Sequence, residues 1–560
     1  MSYSKKNILI TSALPYVNNV PHLGNLIGCV LSADVFSRYC KNRGHNVLYI
    51  CGTDEYGTAT ETKARQEGIG EKELCDKYNK LHQQVYEWFG IKFDYFGRTT
   101  TDKQTEIAQD IFKKIAARGL LIEKSTQQYY CPELNTFLAD RYIAGRCPFC
   151  GADDANGDQC DTCGKLIDPI QLIKPYCKSN PEYKLELRTT DHLYLDLPKL
   201  QTQLKLWFDG LKDDWTKTAS GITEAWIEKE LKPRCITRDL KWGISVPNTP
   251  QFGDKYKNKV FYVWFDAPIG YISITANATD DWEDWWKKNP NFGTEYVQFM
   301  AKDNVPFHSI IFPATLIASY DNYKLVNKIA AIEYLNYQDT KFSKSKGIGV
   351  FGDTIQDSGI EPDIWRFYLI YIRPESSDSS FIWDNFQDRV NNDLINNLGN
   401  LFNRVLTFSS KKFNGIINKI DHNDASIENI IEEINSLSEN YIKNMEETKL
   451  REALKNVILI GKIGNKLMQD YEPWKLFKTD IQQCESILYI LLNIINHLKS
   501  LIGPFMPTVQ EKLCKYLNSK DISINKSIDF EISEYNIIKP KILFEKITDE
   551  KIKEMKNKFK

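Results

Sequence analysis

The stretch that most restricts what this chain can become is Ala13-Leu14-Pro15-Tyr16 followed by Pro21-His22-Leu23-Gly24-Asn25. The apolar run Ile8 to Ile10 before it predicts a buried strand, and Leu26 to Phe36 after it predicts a helix, with a Pro- and Asn-rich turn between them. A strand feeding a helix in this way opens a parallel α/β sheet. His22 and Asn25 stand three apart where the helix begins, so their side chains are expected to share one face beside unpaired backbone N–H groups and the positive dipole end. That arrangement predicts an anion site with two added donors. Gly24 lacks a Cβ and is expected to let a flat ring or a ribose come close to the backbone. Alone, a histidine at such a corner is more simply a loop residue; Lys341-Phe342-Ser343-Lys344-Ser345 far downstream changes that balance.

At 560 residues the chain exceeds one core, and several domains are expected. From Lys6 to about Ile115, apolar strands (Ile8 to Ile10, Val47 to Ile50) alternate with helical segments, as in the first half of a nucleotide-binding fold. Val260 to Phe265 and Tyr296 to Met300 are predicted strands that complete the sheet after an insertion. Past Lys341 a Gly/Ser loop leads toward Phe386, and helical periodicity then dominates to about Leu517. The tail 539–560 carries eight Lys against four acids.

A net charge of -2 excludes a global basic field, so any RNA contact must come from local patches and stacking groups. Met1 to Lys6 runs straight into the first strand, which leaves no room for a leader peptide, and Ile487 to Leu498 is broken by Asn493, Asn496 and His497. A soluble, cytoplasmic protein with no membrane partner is expected. Thirteen cysteines, an odd number in a large chain, argue for reduced thiols and a metal rather than a disulfide scaffold.

Six of those cysteines fall between Cys131 and Cys177, in a Gly- and Asp-rich inserted module. Cys147-Pro-Phe-Cys150 and Cys160-Asp-Thr-Cys163 are two knuckles separated by nine residues, the spacing that supplies four thiolates to a closed tetrahedral zinc site. Four sulfurs leave no position for an activated water, so this metal would staple a module too small to bury a core. Cys131 and Cys177 are expected to be free thiols, because Leu134 and Lys174 stand where further ligands would be.

His22-Leu23-Gly24-Asn25 early and Lys341-Phe342-Ser343-Lys344-Ser345 late resemble the paired HIGH and KMSKS signatures of class I aminoacyl-tRNA synthetases. Within that class the chain is most similar to the methionyl family, through Ala13 to Tyr16, Gly52-Thr-Asp-Glu-Tyr-Gly-Thr58, Val263-Trp-Phe-Asp-Ala-Pro-Ile-Gly-Tyr271, Lys302-Asp-Asn-Val-Pro-Phe-His308 and Glu472-Pro-Trp474. Asn25 departs from the usual final histidine, and Phe342 replaces methionine at an apolar position. The resemblance implies an α/β architecture: a Rossmann-like parallel-sheet catalytic domain interrupted by a zinc-binding connective insertion, followed by an all-α anticodon-binding bundle. In numbers it implies catalytic halves at 1–115 and 236–340, the insertion at 116–235, the signature loop and stem-contact region at 341–385, the helical domain at 386–535 and a basic tail at 536–560 that packs back.

The implied reaction joins methionine to ATP as methionyl-adenylate and then transfers it to the 3′-terminal adenosine of tRNA(Met), initiator included. By resemblance, His22, Asn25, Lys341, Lys344 and Arg238 serve activation, and Tyr16, His22, Gly24, Asn25, Asp303 and Lys344 hold ATP with Mg²⁺. A buried Arg–Asp ion pair of structural value, with Asp239 beside it, is a close second reading for that arginine. Methionine would meet Ala13, Leu14, Tyr16, Asp54, Trp264, Ala267, Pro268, Tyr271, Phe307 and His308, an apolar and aromatic setting that suits a polarizable thioether. In the helical region Leu394, Leu398, Leu401, Phe402 and Val405 form an apolar stripe, while Asn396, Asn400 and Arg404 form an i, i+4, i+8 row. That row, with Trp474, is where the family binds the anticodon. One structural Zn²⁺ and a monomer complete the expectation. The rivals are the branched-chain enzymes, which need a far longer insertion, and a non-catalytic tRNA-binding protein, which would be expected to lack a lysine of the loop.

Overall fold

The computed structural model describes residues 5–559 apart from 158–159, 161, 164–166, 339, 343, 345–346 and 421–423, and apart from the Arg141 side chain. Ser343 and Ser345 of the second signature, the first four residues and Lys560 of the basic tail lie outside the described residues. Five strands, β1 (Asn7–Ser12), β2 (Asn46–Thr53), β3 (Tyr95–Arg98), β4 (Thr294–Ala301) and β5 (Lys328–Ile332), form a wholly parallel sheet in the order β5-β4-β1-β2-β3. Both faces are covered by helices, which is why β1 reads as an unbroken apolar run rather than an alternation. The two halves of the catalytic unit meet at one seam, where Asn7 to Ser12 pair with Thr294 to Phe299. Strand order reverses there, and a crevice opens at the strands' carboxyl ends.

Beyond β1 the chain enters α1, residues 23–42, whose segment Leu26–Val30 has wide π-type turns. After β3 comes α2 (Asp102–Ala117). The predicted strand Val260 to Phe265 is corrected: only Val260–Phe261 is extended, paired with Thr237–Arg238, and α3 (Val263–Ala278) begins two residues later. Phe265, Ile269, Tyr271, Ile272 and Ile274 are all buried, so α3 is covered all round and carries no 3.6-residue polar rhythm to distinguish it from a strand.

The insertion is a long antiparallel ladder, Leu121–Cys131 against Glu186–Leu195, with a three-stranded module built on Ile143–Arg146. That module has a small core of its own, Leu138, Ile143, Ile167 and Leu172 with four of the cysteines. Helices Leu197–Asp209 and Lys217–Ile227, inside the expected insertion span, instead bury Leu200, Leu204, Phe208 and Ile227, with Trp215 between them, in one core with Leu9, Ile50 and Tyr296 of the sheet.

The C-terminal third is helical. Trp383–Arg389, Val390–Gly399 and Asn400–Lys412 run end to end as α4, and the predicted stripe Leu394, Leu398, Leu401, Phe402 and Val405 is fully buried. A Cβ on Gly461 or Gly464 of α5 (Leu450–Asp470) would stand 2.5 or 2.7 Å from Leu398 or Leu401, so these glycines set how closely the two helices pack. The joint between sheet and helices is polar. Arg366 is completely buried and donates to Asp34 Oδ2 of α1 at 2.7 Å and to the Phe89, Pro504 and Phe505 carbonyls. At the end, α6 (Asp549–Lys558) buries Ile552 and Met555, and Phe559 stacks with Trp383 while its carbonyl accepts from the Tyr337 hydroxyl.

Candidate functional site

Two chain segments leave the sheet on either side of the crevice. One is the turn after β1, and the other is the turn after β4 that passes through Asn304 into a short π-type helix, Phe307–Ile311. Between them, with the first turns of α3 and Asp54 at the end of β2, they enclose a pocket lined by Leu14, Tyr16, Asp54, Val263, Trp264, Ala267, Pro268, Tyr271, Asn304, Phe307 and His308. Nine of the ten residues expected to meet the amino acid line it; Ala13 does not, being buried with its N–H on the Phe299 carbonyl at 2.9 Å. Val263 and Asn304 fall within the segments that carry the family resemblance, without a role assigned to either from the sequence. The cavity holds about 40 Å³, little more than one water, because Trp264 leans on Phe307 at 4.7 Å.

The deep end of the pocket carries a closed polar pair. His308 Nδ1 lies 2.8 Å from the Asn304 carbonyl, and its Nε2 lies 2.8 Å from the Tyr271 hydroxyl. Burial lowers the His308 pKa to about 4, so the ring is neutral at pH 7. Its Nδ1–H donates to the carbonyl, and Nε2 accepts the tyrosine proton. No donor is left facing the cavity from this pair, which disfavours a polar side chain there. Asp54 is buried as well; burial, then the neighbouring Glu55, raises its proton affinity well above that of an ordinary carboxyl.

The first signature is arranged differently from the expectation. His22 caps α1 with its own ring: Nδ1 accepts from the Gly24 and Asn25 N–H groups at 3.0 and 3.4 Å, while Asn25 Oδ1 accepts from the His22 N–H at 3.1 Å. These backbone donors are therefore spent within the signature. The anion donors that remain are His22 Nε2–H, on a ring that burial keeps neutral by lowering its pKa to about 4, and the Asn25 amide. Gly24 is explained by the same fold-back, since a Cβ would stand 2.9 Å from the His22 ring and 3.4 Å from the Leu335 carbonyl. The space expected to admit a ribose is taken by His22.

Phe342 of the second signature lies flat on the His22 ring, centroids 4.4 Å apart and planes 4° from parallel. A Cβ on Gly349, which has a φ of 116°, would stand 2.4 Å from Phe342. Lys344 is held by Asp353 at 2.7 and 2.9 Å, and Lys341 is exposed. Asp303 lies exposed in the turn after β4. Arg238 stands in the strand that pairs with Val260–Phe261, with its guanidinium 3.7 Å over the Tyr262 ring. The alternative Arg238–Asp239 pair is not formed: Asp239 is taken by Lys259 at 2.5 Å, Thr190 at 2.8 Å and His192 at 3.1 Å.

Cys147, Cys150, Cys160 and Cys163 bring their sulfurs within 4.8 Å of one another, with closest pairs at 3.7 and 3.9 Å. Four sulfurs about 2.3 Å from a tetrahedral zinc would be about 3.8 Å apart, so the donor set and its size fit that metal. Cys131 and Cys177 are buried in the same module as unpaired thiols. On the helical face, Arg404 lies 5.2 Å over the Trp474 ring, and Asn396 is exposed. Asn400 departs from the expected reading row, because its amide N–H is given to Asn465 at 2.9 Å. Among the described residues no helix is long and apolar enough to cross a membrane.

Residues 8–406 match the family model for class I tRNA synthetases (M), and residues 420–560 match the anticodon binding domain of methionyl tRNA ligase. The chain is 50% identical to the cytoplasmic methionine–tRNA ligase of Saccharomyces cerevisiae over 99% of its own length and 74% of that relative. It is 51% identical to the cytoplasmic human enzyme over 90% of its length, spanning 56% of that longer protein. Among solved structures, Mycobacterium tuberculosis methionyl-tRNA synthetase in complex with methionyl-adenylate superposes with a TM-score of 0.77, covering 96% of this chain and 99% of that one at 20% identity, a likeness of fold.

Proposed function

The chain belongs to the class I tRNA synthetases of the methionyl type, and from that membership we propose that it activates methionine with ATP and transfers it to the 3′-terminal adenosine of tRNA(Met), including the initiator. The observation that carries the reading is the pocket itself: an aromatic and apolar cavity with the Tyr271–His308 pair and the buried Asp54 carboxyl in its lining.

In this reading Asp54 receives the substrate ammonium, and Leu14, Trp264, Ala267, Pro268 and Phe307 enclose the side chain, with Tyr271 and His308 nearest the sulfur. Tyr16, His22, Asn25 and Asp303 receive ATP, while Gly24 makes room for the His22 ring. The attack of the carboxylate on the α-phosphate needs alignment and charge stabilisation rather than an enzyme nucleophile. His22 Nε2–H and the Asn25 amide donate to phosphate oxygens. Lys344 leaves Asp353 and, with Lys341, meets the charge that gathers on the β- and γ-phosphates; Arg238 assists from across the crevice. Mg²⁺ arrives with ATP and neutralises phosphate charge. Cys147, Cys150, Cys160 and Cys163 hold one structural zinc. Arg404, Trp474, Asn396 and, through its carbonyl oxygen, Asn400 meet the anticodon. The protein works as a cytoplasmic monomer, with the tail packed back on the catalytic unit.

Pyrophosphate exchange into ATP, with each amino acid in turn and without tRNA, tests the proposal. Exchange confined to methionine and strongly reduced in Lys344→Ala and Trp264→Ala is the expected result. Exchange with a different amino acid would overturn the specificity, and none with any would leave a tRNA-binding protein.

A further inference from the structure

Along one face of α4 the polar side chains are bonded to one another, and the bonding has a direction. Asp388 Oδ1 accepts from the Asn392 amide at 2.7 Å, and Asn392 Oδ1 accepts from the Asn396 amide at 3.3 Å. A carboxylate can only accept, so Asn392 must turn its nitrogen to Asp388 and its oxygen to Asn396, which in turn must give a nitrogen. One turn further on, the same logic fixes Asn400 from α5. Asn465 donates to the Asn397 and Gly461 carbonyls at 2.8 and 3.0 Å, and a backbone carbonyl can only accept. Its own oxygen is thereby left to take the Asn400 amide at 2.9 Å. Asn396 and Asn400 both give a nitrogen to the protein, and their Oδ1 atoms have no hydrogen-bond partner among the described residues. Asp384, Asp388, Asn392 and Asn396 also line an open groove of about 460 Å³ whose other wall is the segment 546–550. That lining carries four carboxyls against one ammonium, and of the four Asp384 is paired with Lys556 at 2.6 Å. Such a setting repels phosphate and suits the electropositive edge of a base amino group.

We propose that Asp388 and Asn392 are positioning residues that set the hydrogen-bond polarity of Asn396, as Asn465 sets that of Asn400, so that this stretch of α4 offers two acceptor oxygens and selects bases whose edge carries an exocyclic amino group. This deepens the anticodon reading and rests on it. The anticodon that pairs with the methionine codon, CAU, has such a group on its first two bases, the 4-amino of cytosine and the 6-amino of adenine. Uracil and hypoxanthine carry an oxygen in the same place. Against an amide held with its oxygen free, that oxo group meets another lone pair, and both acceptors lose water without gaining a donor. An amide with no such restraint would turn over and offer its nitrogen to either base. The relay from Asp388 is what forbids the turn at Asn396, and the two carbonyls on Asn465 forbid it at Asn400.

The test is methionylation of three tRNA(Met) transcripts: one with the CAU anticodon, one with uracil in place of its cytosine and one with hypoxanthine in place of its adenine. Each is read as kcat/KM with the parent, Asp388→Asn and Asn396→Asp proteins at one ionic strength. Asp388→Asn keeps the shape but offers a nitrogen as well as an oxygen, so the relay can run either way. At one of the two bases the preference for the amino-bearing transcript should then fall by about threefold or more, in part through better use of the oxo-bearing one. Asn396→Asp keeps acceptor oxygens and removes the amide, and it should leave the preference at that base undiminished while its charge weakens all three transcripts together. Charge acts on every transcript alike, so the ratio decides. Methionine-dependent exchange without tRNA should stay at the parental level in Asp388→Asn, which does not line the amino-acid pocket. A ratio unchanged at both bases in Asp388→Asn, or a preference erased in Asn396→Asp, would overturn the relay. A parent protein that charges the three transcripts alike would sink the underlying anticodon reading, whatever the variants do.

Discussion

The amino-acid pocket and the helical face around Arg404 are both lined by polar groups beside aromatics, yet they are built on opposite terms. In the pocket Tyr271, His308 and Asp54 are buried, the first two satisfied by one another and Asp54 left with an open oxygen, while Tyr16 is 45% exposed. On the helical face Asn396 is exposed and donates to Asn392 at 3.3 Å, Arg404 lies on Trp474 within reach of water, and Asn400 donates to Asn465. A polar group in low dielectric is worth much when paired and costs much when orphaned, whereas a solvated one adds small increments. The pocket therefore discriminates by what it cannot satisfy, and the helical face recognises by summing contacts.

That contrast is open to direct attack. The largest effect is expected from Asp54→Ala, which removes the buried counter-charge of the amine: methionine-dependent exchange should fall by about a hundredfold or more. A fall of only two- or threefold would mean the pocket behaves like a solvated surface. Arg404→Ala should act mainly on the tRNA-dependent step, so that its loss in aminoacylation exceeds its loss in exchange by about tenfold, with Trp474→Ala similar through lost stacking. Tyr271→Phe deletes one hydroxyl and leaves His308 Nε2 without its donor, which should cost about tenfold in kcat/KM for methionine.

The smallest effect, and one shared by both regions, comes from acid. Burial lowers the pKa of His22, His82, His308 and the helical-domain His497 to about 4 each, below the ordinary value near 6.5 that they regain on unfolding. Between those values the unfolded chain binds the extra protons. The stability these rings contribute is complete above about pH 6.5 and is lost as pH falls toward 4. The share of thermal stability that these rings carry should thus be nearly flat from pH 8 to 6.5 and then decline, read as the gap between the parent and His497→Gln, and Ser438, which shares a 2.7 Å bond with His497, should be among the first interior contacts loosened.

Much of this was legible in the chain because it depends on neighbours in sequence. The knuckles Cys147–Cys150 and Cys160–Cys163 announce their sulfurs by spacing alone, and the buried stripe of α4 follows from its helical rhythm. Gly24, Phe342 and Asp239 were read less well. Each depends on a partner brought from elsewhere: the His22 ring folding back beside the Leu335 carbonyl, the loop lying across that ring, and Lys259 and His192 reaching Asp239 before Arg238 does. α3 was misread in part for a further reason, since an element buried on every side shows no alternation between faces.

What the sequence by itself determined is the inventory: a parallel α/β unit split by a cysteine module, a helical C-terminal third, and the residue types that phosphate, ammonium, thioether and zinc require. Those follow from backbone propensity, periodicity and ligand chemistry, all local properties. The tertiary structure alone decided which donors remain free. It joined β1 to β4 across the insertion, spent the signature's backbone N–H groups on His22, closed Tyr271 on His308 and left an Asp54 oxygen open. The reason is that a hydrogen-bonding group's availability depends on every neighbour that packing brings to it, and most of those neighbours lie far away along the chain.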